Sequence, residues 1–290
     1  MKPIGPMLVR WLKPAVERFP RLATALRRWR DNRRDLPPVR TPQGFLLQGN
    51  PIMEHGGFEP NETRLVTTLL RDVDVLVNIG ANIGYYACFG LQAGKHVIAF
   101  EPMPGNLFHL MRNLRHNGWQ DRAEVFPMAL SDRSGVIEIY GGGVVASLVK
   151  GWARVPESYV SLVPVHTADN VLGQRLVGRR CFVLVDVEGA ENQVLAGAGR
   201  LLGQEPRPVW LVEISVNEHL PGGLTLNPAL VQTFDHFFAR RYRAWAVGET
   251  LREISRDEVA AVAASGRDTL LTHNFLFAAD AQTLADVLPH

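Results

Sequence analysis

The stretch VLVNIGANIGYYA, residues 75–87, sets three apolar β-formers ahead of a glycine-spaced turn and a segment of helical character. Without Cβ atoms such a turn is tight, and its N–H groups can face a ligand that approaches the backbone closely. Strand, turn and helix in this order open a βαβ unit, and the rhythm continues along the chain. The pattern predicts a strand at 73–79, a helix at 84–93 and a strand at 96–101. A helix follows at 106–117, with Leu107, Leu110, Met111 and Leu114 on one face, and then a strand at 123–129. Further on come a continuous apolar strand at 181–187, a helix at 190–202 and a strand at 208–214. Alternation of this kind implies an α/β fold, a doubly wound Rossmann-like sheet of mostly parallel strands joined by right-handed crossovers.

Residues 135–169 break the rhythm. VIEIYGGG and VSLVPVHTADN read as short strands, so a β-rich insertion is predicted near 135–170. After a helix at 227–239, YRAWAV and NFLFAA are expected to close the sheet as an antiparallel pair at one edge. The organisation predicted is a basic helical arm and proline-marked linker over 1–50, then one domain over 51–290.

Charge is unevenly distributed. The 290 residues carry a formal +2, yet residues 8–34 hold nine Arg or Lys against two acids. Apolar residues recur there with helical spacing from Leu8 to Trp29, interrupted by Pro14 and Pro20. A basic amphipathic arm suits the surface of an anionic membrane, and equally a helix packed on the domain or on a partner. Two cysteines, Cys88 and Cys181, both inside apolar patterns, suggest neither a disulfide framework nor a zinc site and fit a reducing cytoplasm. The tryptophans are not interleaved with basic residues, so nucleic acid is not an expected partner.

The glycine turn also narrows the choice of ligand. Dinucleotide folds place G-x-G-x-x-G after the first strand, whereas G-A-N-I-G lacks the middle glycine that admits a pyrophosphate. Glu101 still ends the second strand, where a carboxylate can accept both hydroxyls of a ribose. A ribose without a pyrophosphate suggests an adenosyl ligand. Asn78, Glu101, Asp132, Asp186 and Glu213 are all expected at carboxyl ends of strands, which is where open α/β sheets bind ligands.

These segments carry a resemblance. VLVNIGANIGYYA, VIAFEPMPGNLFHLMRNLRHNG, AEVFPMALSDRSGVIEIY, FVLVDVEGAENQVLAGAGRLL and VWLVEIS, in that order, resemble the FkbM family of S-adenosylmethionine-dependent methyltransferases. The resemblance implies a class I methyltransferase sheet and S-adenosyl-L-methionine as cofactor. Asn78, Gly80, Ala81, Asn82 and Gly84 would hold its methionine half and Glu101 its ribose. Ser131 and Asp132 would lie near the adenine, and Asp186 would face both cofactor and acceptor. It further implies O-methylation of a sugar or small-molecule hydroxyl, with Asp186 the expected base and Glu188 or His166 the alternates. No metal ligands are assigned, and a divalent ion at the carboxylate is left open.

Two positions depart from the family pattern: Asn78 stands where aspartate is usual, and Leu184 where lysine is usual. The alternatives they leave are a non-catalytic cofactor-binding or scaffold protein of the same fold and, on the shared sheet alone, a nicotinamide-dependent oxidoreductase.

Overall fold

The computed structural model describes residues 37–143 and 146–279; the basic arm lies outside the described residues. The chain runs through β1 (Val39–Arg40), β2 (Leu46–Leu47), α1 (Pro51–Glu54), α2 (Pro60–Leu69), β3 (Val75–Ile79), α3 (Tyr85–Gln92), β4 (His96–Phe100), α4 (Pro104–His116) and β5 (Ala123–Phe126). It continues through β6 (Ala129–Leu130), β7 (Gly135–Tyr140), β8 (Val160–His166), α5 (Ala168–Leu172), β9 (Cys181–Val185), α6 (Glu191–Ala196), α7 (Gly199–Gly203) and β10 (Val209–Glu213). The last elements are α8 (Leu230–Phe238), β11 (Arg243–Ala246), β12 (Arg252–Ile254), α9 (Arg256–Ser265) and β13 (Asn274–Ala278).

Eight strands form the main sheet in the order β12-β11-β13-β10-β9-β3-β4-β5. The run from β10 to β5 is parallel, and β13, β11 and β12 add antiparallel strands. The fold is therefore the doubly wound α/β sheet expected, with an antiparallel edge one strand wider because β12 pairs with β11. β3 and β9 are buried along their whole length, as strands covered on both faces must be. One core lies on each face. Val77, Val183, Trp210, Phe234 and Phe275 belong to the first, and Phe45, Leu76, Phe89, Leu110 and Leu184 to the second.

Local chemistry explains where the sequence-based boundaries shift. The expected strand 123–129 divides because Pro127 has no N–H for a ladder; Met128 N instead donates to Phe126 O at 2.9 Å. Ala129 and Leu130 then pair with β8, which also pairs with β7, and the three make a separate sheet. The expected helix 190–202 divides into α6 and α7 where Gly197 presses on β6, since a Cβ there would lie 2.0 Å from Ser131 O. Asp169 begins the helix anew by accepting from Arg200 N at 2.8 Å and Leu201 N at 3.1 Å. Residues 39–50, read as linker or edge strand, pack against the domain: Phe45 and Leu47 are buried, and Asn113 and Asn117 hydrogen-bond the backbone of Gln48 and Leu46. Helix α2 has no counterpart among the predicted elements. Among the described residues, no helix is long and apolar enough to cross a membrane.

The tightest backbone approach in the sheet is at Gly80, just after β3. Its φ is +82°, and a Cβ would fall 1.8 Å from Asp186 O, the backbone beyond β9. Gly80→Ala is expected to cost about 3 kcal/mol or more, read as a fall of roughly 6–12 °C in Tm. Gly94 has a similar φ of +79° but nothing within 4 Å of the added atom. Gly94→Ala should cost only about 1 kcal/mol; equal losses in the two melts would contradict the steric account.

Candidate active site

The turn after β3 is pinned to the end of β4. Gly80 N and Ala81 N both donate to Phe100 O, at 3.0 and 2.9 Å, so these two donors are spent on the fold. Asn82, in left-handed conformation at φ 52°, donates its N–H to Glu101 Oε2 at 2.8 Å. Glu101 Oε1 accepts from Met103 N at 2.8 Å and Asn106 Nδ2 at 3.3 Å. One carboxylate thus ties the first glycine turn to the start of α4. Two oxygens offer about four acceptor positions, and three are used, so Glu101 keeps acceptor capacity for a ligand. Burial pushes its pKa up to about 7, against the pull of those three donors.

Around this carboxylate lies an open cleft. Gly80, Asn82, Glu101, Asp186 and Glu188 supply its polar lining. Met103, Met128, Leu130, Ile139, Ala146 and Leu148 make an apolar wall, much of it from the small sheet and the segment after β7. The site therefore forms where the strand order changes direction, between β3 with its neighbours β9 and β4, as the doubly wound topology dictates.

Asp186 follows β9 and Glu213 ends β10. Val185 pairs with Val212 in parallel register, so the two acids stand abreast at the carboxyl edge. They line a second, smaller recess with Glu59, Glu62, Tyr86 and Asn274, and Asp186 lines both spaces. Glu59 sits ahead of α2 in left-handed conformation at φ 41° and accepts from Tyr86 Oη at 2.6 Å. Glu188, also left-handed at φ 55°, accepts from Trp152 Nε1 at 2.7 Å, and its carbonyl accepts from Ser147 Oγ. Trp152 packs against Gly189, where a Cβ would meet the indole at 2.4 Å. The segment after β7 is thereby latched to the loop after β9.

The structure gathers Gly80, Asn82, Glu101, Asp186 and Glu188 from the sequence-predicted set. Asn78 is buried within β3 and Ala81 and Gly84 are buried or enclosed in the turn, supporting the cleft from behind. Three residues fall outside it. Ser131 is buried, its N–H given to His166 O and its hydroxyl 3.1 Å from Asp132 Oδ1, while Asp132 is exposed; the bend at Pro127 brings Met128 to Leu130 to the cleft in their place. His166 is exposed at the end of β8 with Nδ1 2.9 Å from Ser134 Oγ and does not line the cleft, whereas Asp186 and Glu188 do. Sequence reading missed Glu59, Asn106 and Trp152, and gave Glu213 a strand end without a role. Among the described residues, no cluster has the geometry to hold a metal ion.

Burial raises this whole set of acids. Asp186 and Glu59 are pushed up to about 7 and Glu191 to about 8; Glu188 and Glu213 rise as well, each neighbour's charge adding to the effect. A raised folded-state pKa means that the folded chain holds protons which the unfolded chain releases above about 4.5. These acids therefore lose stability for the ligand-free protein as pH climbs from about 4.5 to about 8. Thermal melts should decline across that window, and Glu191→Gln should flatten the upper part of the decline. A Tm that rises steadily from pH 5 to 8 would contradict the assignment.

The family model for the methyltransferase FkbM domain matches residues 78–243, more than half of the chain. The hexuronic acid methyltransferase AglP of Haloferax volcanii is 32% identical over 143 residues, covering 48% of this chain and 56% of its own length. The chain thus spans about half the length of that relative. Among solved structures, the methyltransferase FkbM from Methylobacillus flagellatus aligns at 19% identity and TM-score 0.42 over 71% of this chain and 44% of that one. An O-methyltransferase from Bacillus cereus in complex with SAH aligns at 13% identity and TM-score 0.44, over 76% and 80%. On the sequence match across residues 78–243, the chain belongs to the FkbM methyltransferase family.

Proposed function

We propose that the chain transfers the methyl group of S-adenosylmethionine to a hydroxyl oxygen of a sugar or other small molecule. The observation that carries this reading is Glu101, a buried carboxylate at the end of β4 with acceptor capacity left over after binding its own turn. The cofactor fits the residues present. Glu101 would accept from the ribose hydroxyls, and the wall of Met128, Leu130, Ile139 and Leu148 would flank the adenine. The side-chain oxygen of Asn82, which lines the cleft, is a buried acceptor without a donor among the described residues, suited to the ammonium of the methionine half. Bound there, the sulfonium supplies an already activated methyl group.

The chain's own work is then alignment and proton removal. Asp186, reaching both cleft and recess, would accept the hydroxyl proton. Glu188, fixed by Trp152, would hold the acceptor against it, and Ala146 and Leu148 would keep water from the reacting atoms. No Lys or Arg lines either space among the described residues, while Glu59, Glu62, Glu188 and Glu213 do. That favours an acceptor without a carboxylate of its own, in contrast to the hexuronic acid in the name of the AglP relative. It also disfavours nucleic acid, whose phosphates call for Lys and Arg. The basic arm, by its sequence, would add contact with an anionic membrane surface.

Two measurements test this. Calorimetry should show S-adenosylmethionine binding that Glu101→Gln weakens roughly 10- to 100-fold, the loss of a charged acceptor at about 1.5–3 kcal/mol; unchanged affinity would place the ribose elsewhere. Binding to anionic vesicles at low salt should vanish on deletion of residues 1–34, and undiminished binding would remove the arm from the membrane proposal.

A further inference from the structure

Asp186 and Glu213 stand abreast at the carboxyl ends of neighbouring parallel strands, and both line the same recess. Neither meets a cation among the described residues, and their shared recess is lined by no Lys or Arg. The groups around them are Glu59 and Glu62 from the α2 side, Tyr86 from α3, Glu101 beyond β4, and Glu188 and Glu191 beyond β9, with His273 near Glu59. Every one of the carboxylic acids adds negative charge when ionised. Two carboxyls side by side in such surroundings do not both ionise in the empty site.

We propose that Asp186 and Glu213 share a single proton in the ligand-free protein and release it when the positively charged sulfonium enters the cleft, so that Glu213 sets the protonation state of the proton acceptor Asp186. Glu213 is a positioning residue, acting through Asp186. The inference rests on the cofactor reading above and adds to it the partner that makes Asp186 a base.

The charge around the sulfur then stays constant through the cycle. The empty pair carries −1 with its proton. The ionised pair carries −2 against the +1 of the sulfonium. During transfer the acceptor O–H bond breaks and an O–CH₃ bond forms. The S–CH₃ electron pair remains on sulfur as a neutral sulfide, and the hydroxyl proton passes to the pair, which returns to −1. No step adds net charge to a buried, acid-lined site, where uncompensated charge is costly. Asp186 is thus ionised when the cofactor is charged and protonated when it is spent.

The test needs no acceptor. S-adenosylmethionine and S-adenosylhomocysteine are titrated into the full-length protein by calorimetry, in two buffers of different ionisation enthalpy. The pH is about 7.5, above the value to which burial lifts Asp186, and both ligands carry the same α-amino group, so its titration cancels in the comparison. About one proton is expected to leave per sulfonium bound and close to none per neutral product. Glu213→Gln, of the same shape, should bind both ligands but abolish the difference, and Asp186→Asn should do the same. Equal release for the two ligands, or release that survives in both variants, overturns the proposal while leaving the cofactor reading intact. Failure of the wild-type protein to bind either ligand overturns both.

Discussion

The carbonyl oxygen of Asp186 lies where a side chain on residue 80 would begin, and that contact sets the edge of the sheet. Because residue 80 is glycine, the chain leaving β3 can turn directly over the end of β9. Its next two N–H groups fold back to Phe100 O on the other neighbour, and Asn82 reaches Glu101. Three strand ends are thereby locked together by backbone geometry. Asp186 and Glu101 sit on either side of that lock, with the cleft between them.

What fills the cleft follows from charge. The polar lining is acidic, and burial raises the pKa of each carboxyl by withholding solvent from the charged form. Such a site is most comfortable holding protons or a cation. The arrangement carries some stored instability into the ligand-free protein, as expected where groups are prepared for chemistry rather than for folding. The β7–β8 side balances this with an apolar wall and with the Trp152–Glu188 hydrogen bond, so that one ligand would be gripped by opposite kinds of surface.

Much of this was legible in the sequence. Glu101, Asp186 and Glu213 announce themselves because each is a lone acid finishing an apolar run, and such runs in a βα rhythm must be parallel strands with their carboxyl ends together. Gly80 was legible as a turn. The features that were not legible depend on distant contacts. Glu59 lies more than 120 residues before Asp186 in the chain and joins it only through the packing of α2 on α3. The break between α6 and α7 is marked locally by Gly197 and Gly199, but what fixes it is the approach of Ser131. Asp132 was misplaced for one reason. Pro127 sends the chain out of the main sheet, so ALSD belongs to a different sheet from the one its spacing suggested.

The most direct test of the account is a crystal structure grown with S-adenosylhomocysteine. The account places the ribose hydroxyls on Glu101, the adenine among Met128, Leu130 and Ile139, and the sulfur beside Asp186. Density for the ligand anywhere else on the molecule, or in the cleft with its ribose away from Glu101, would contradict it.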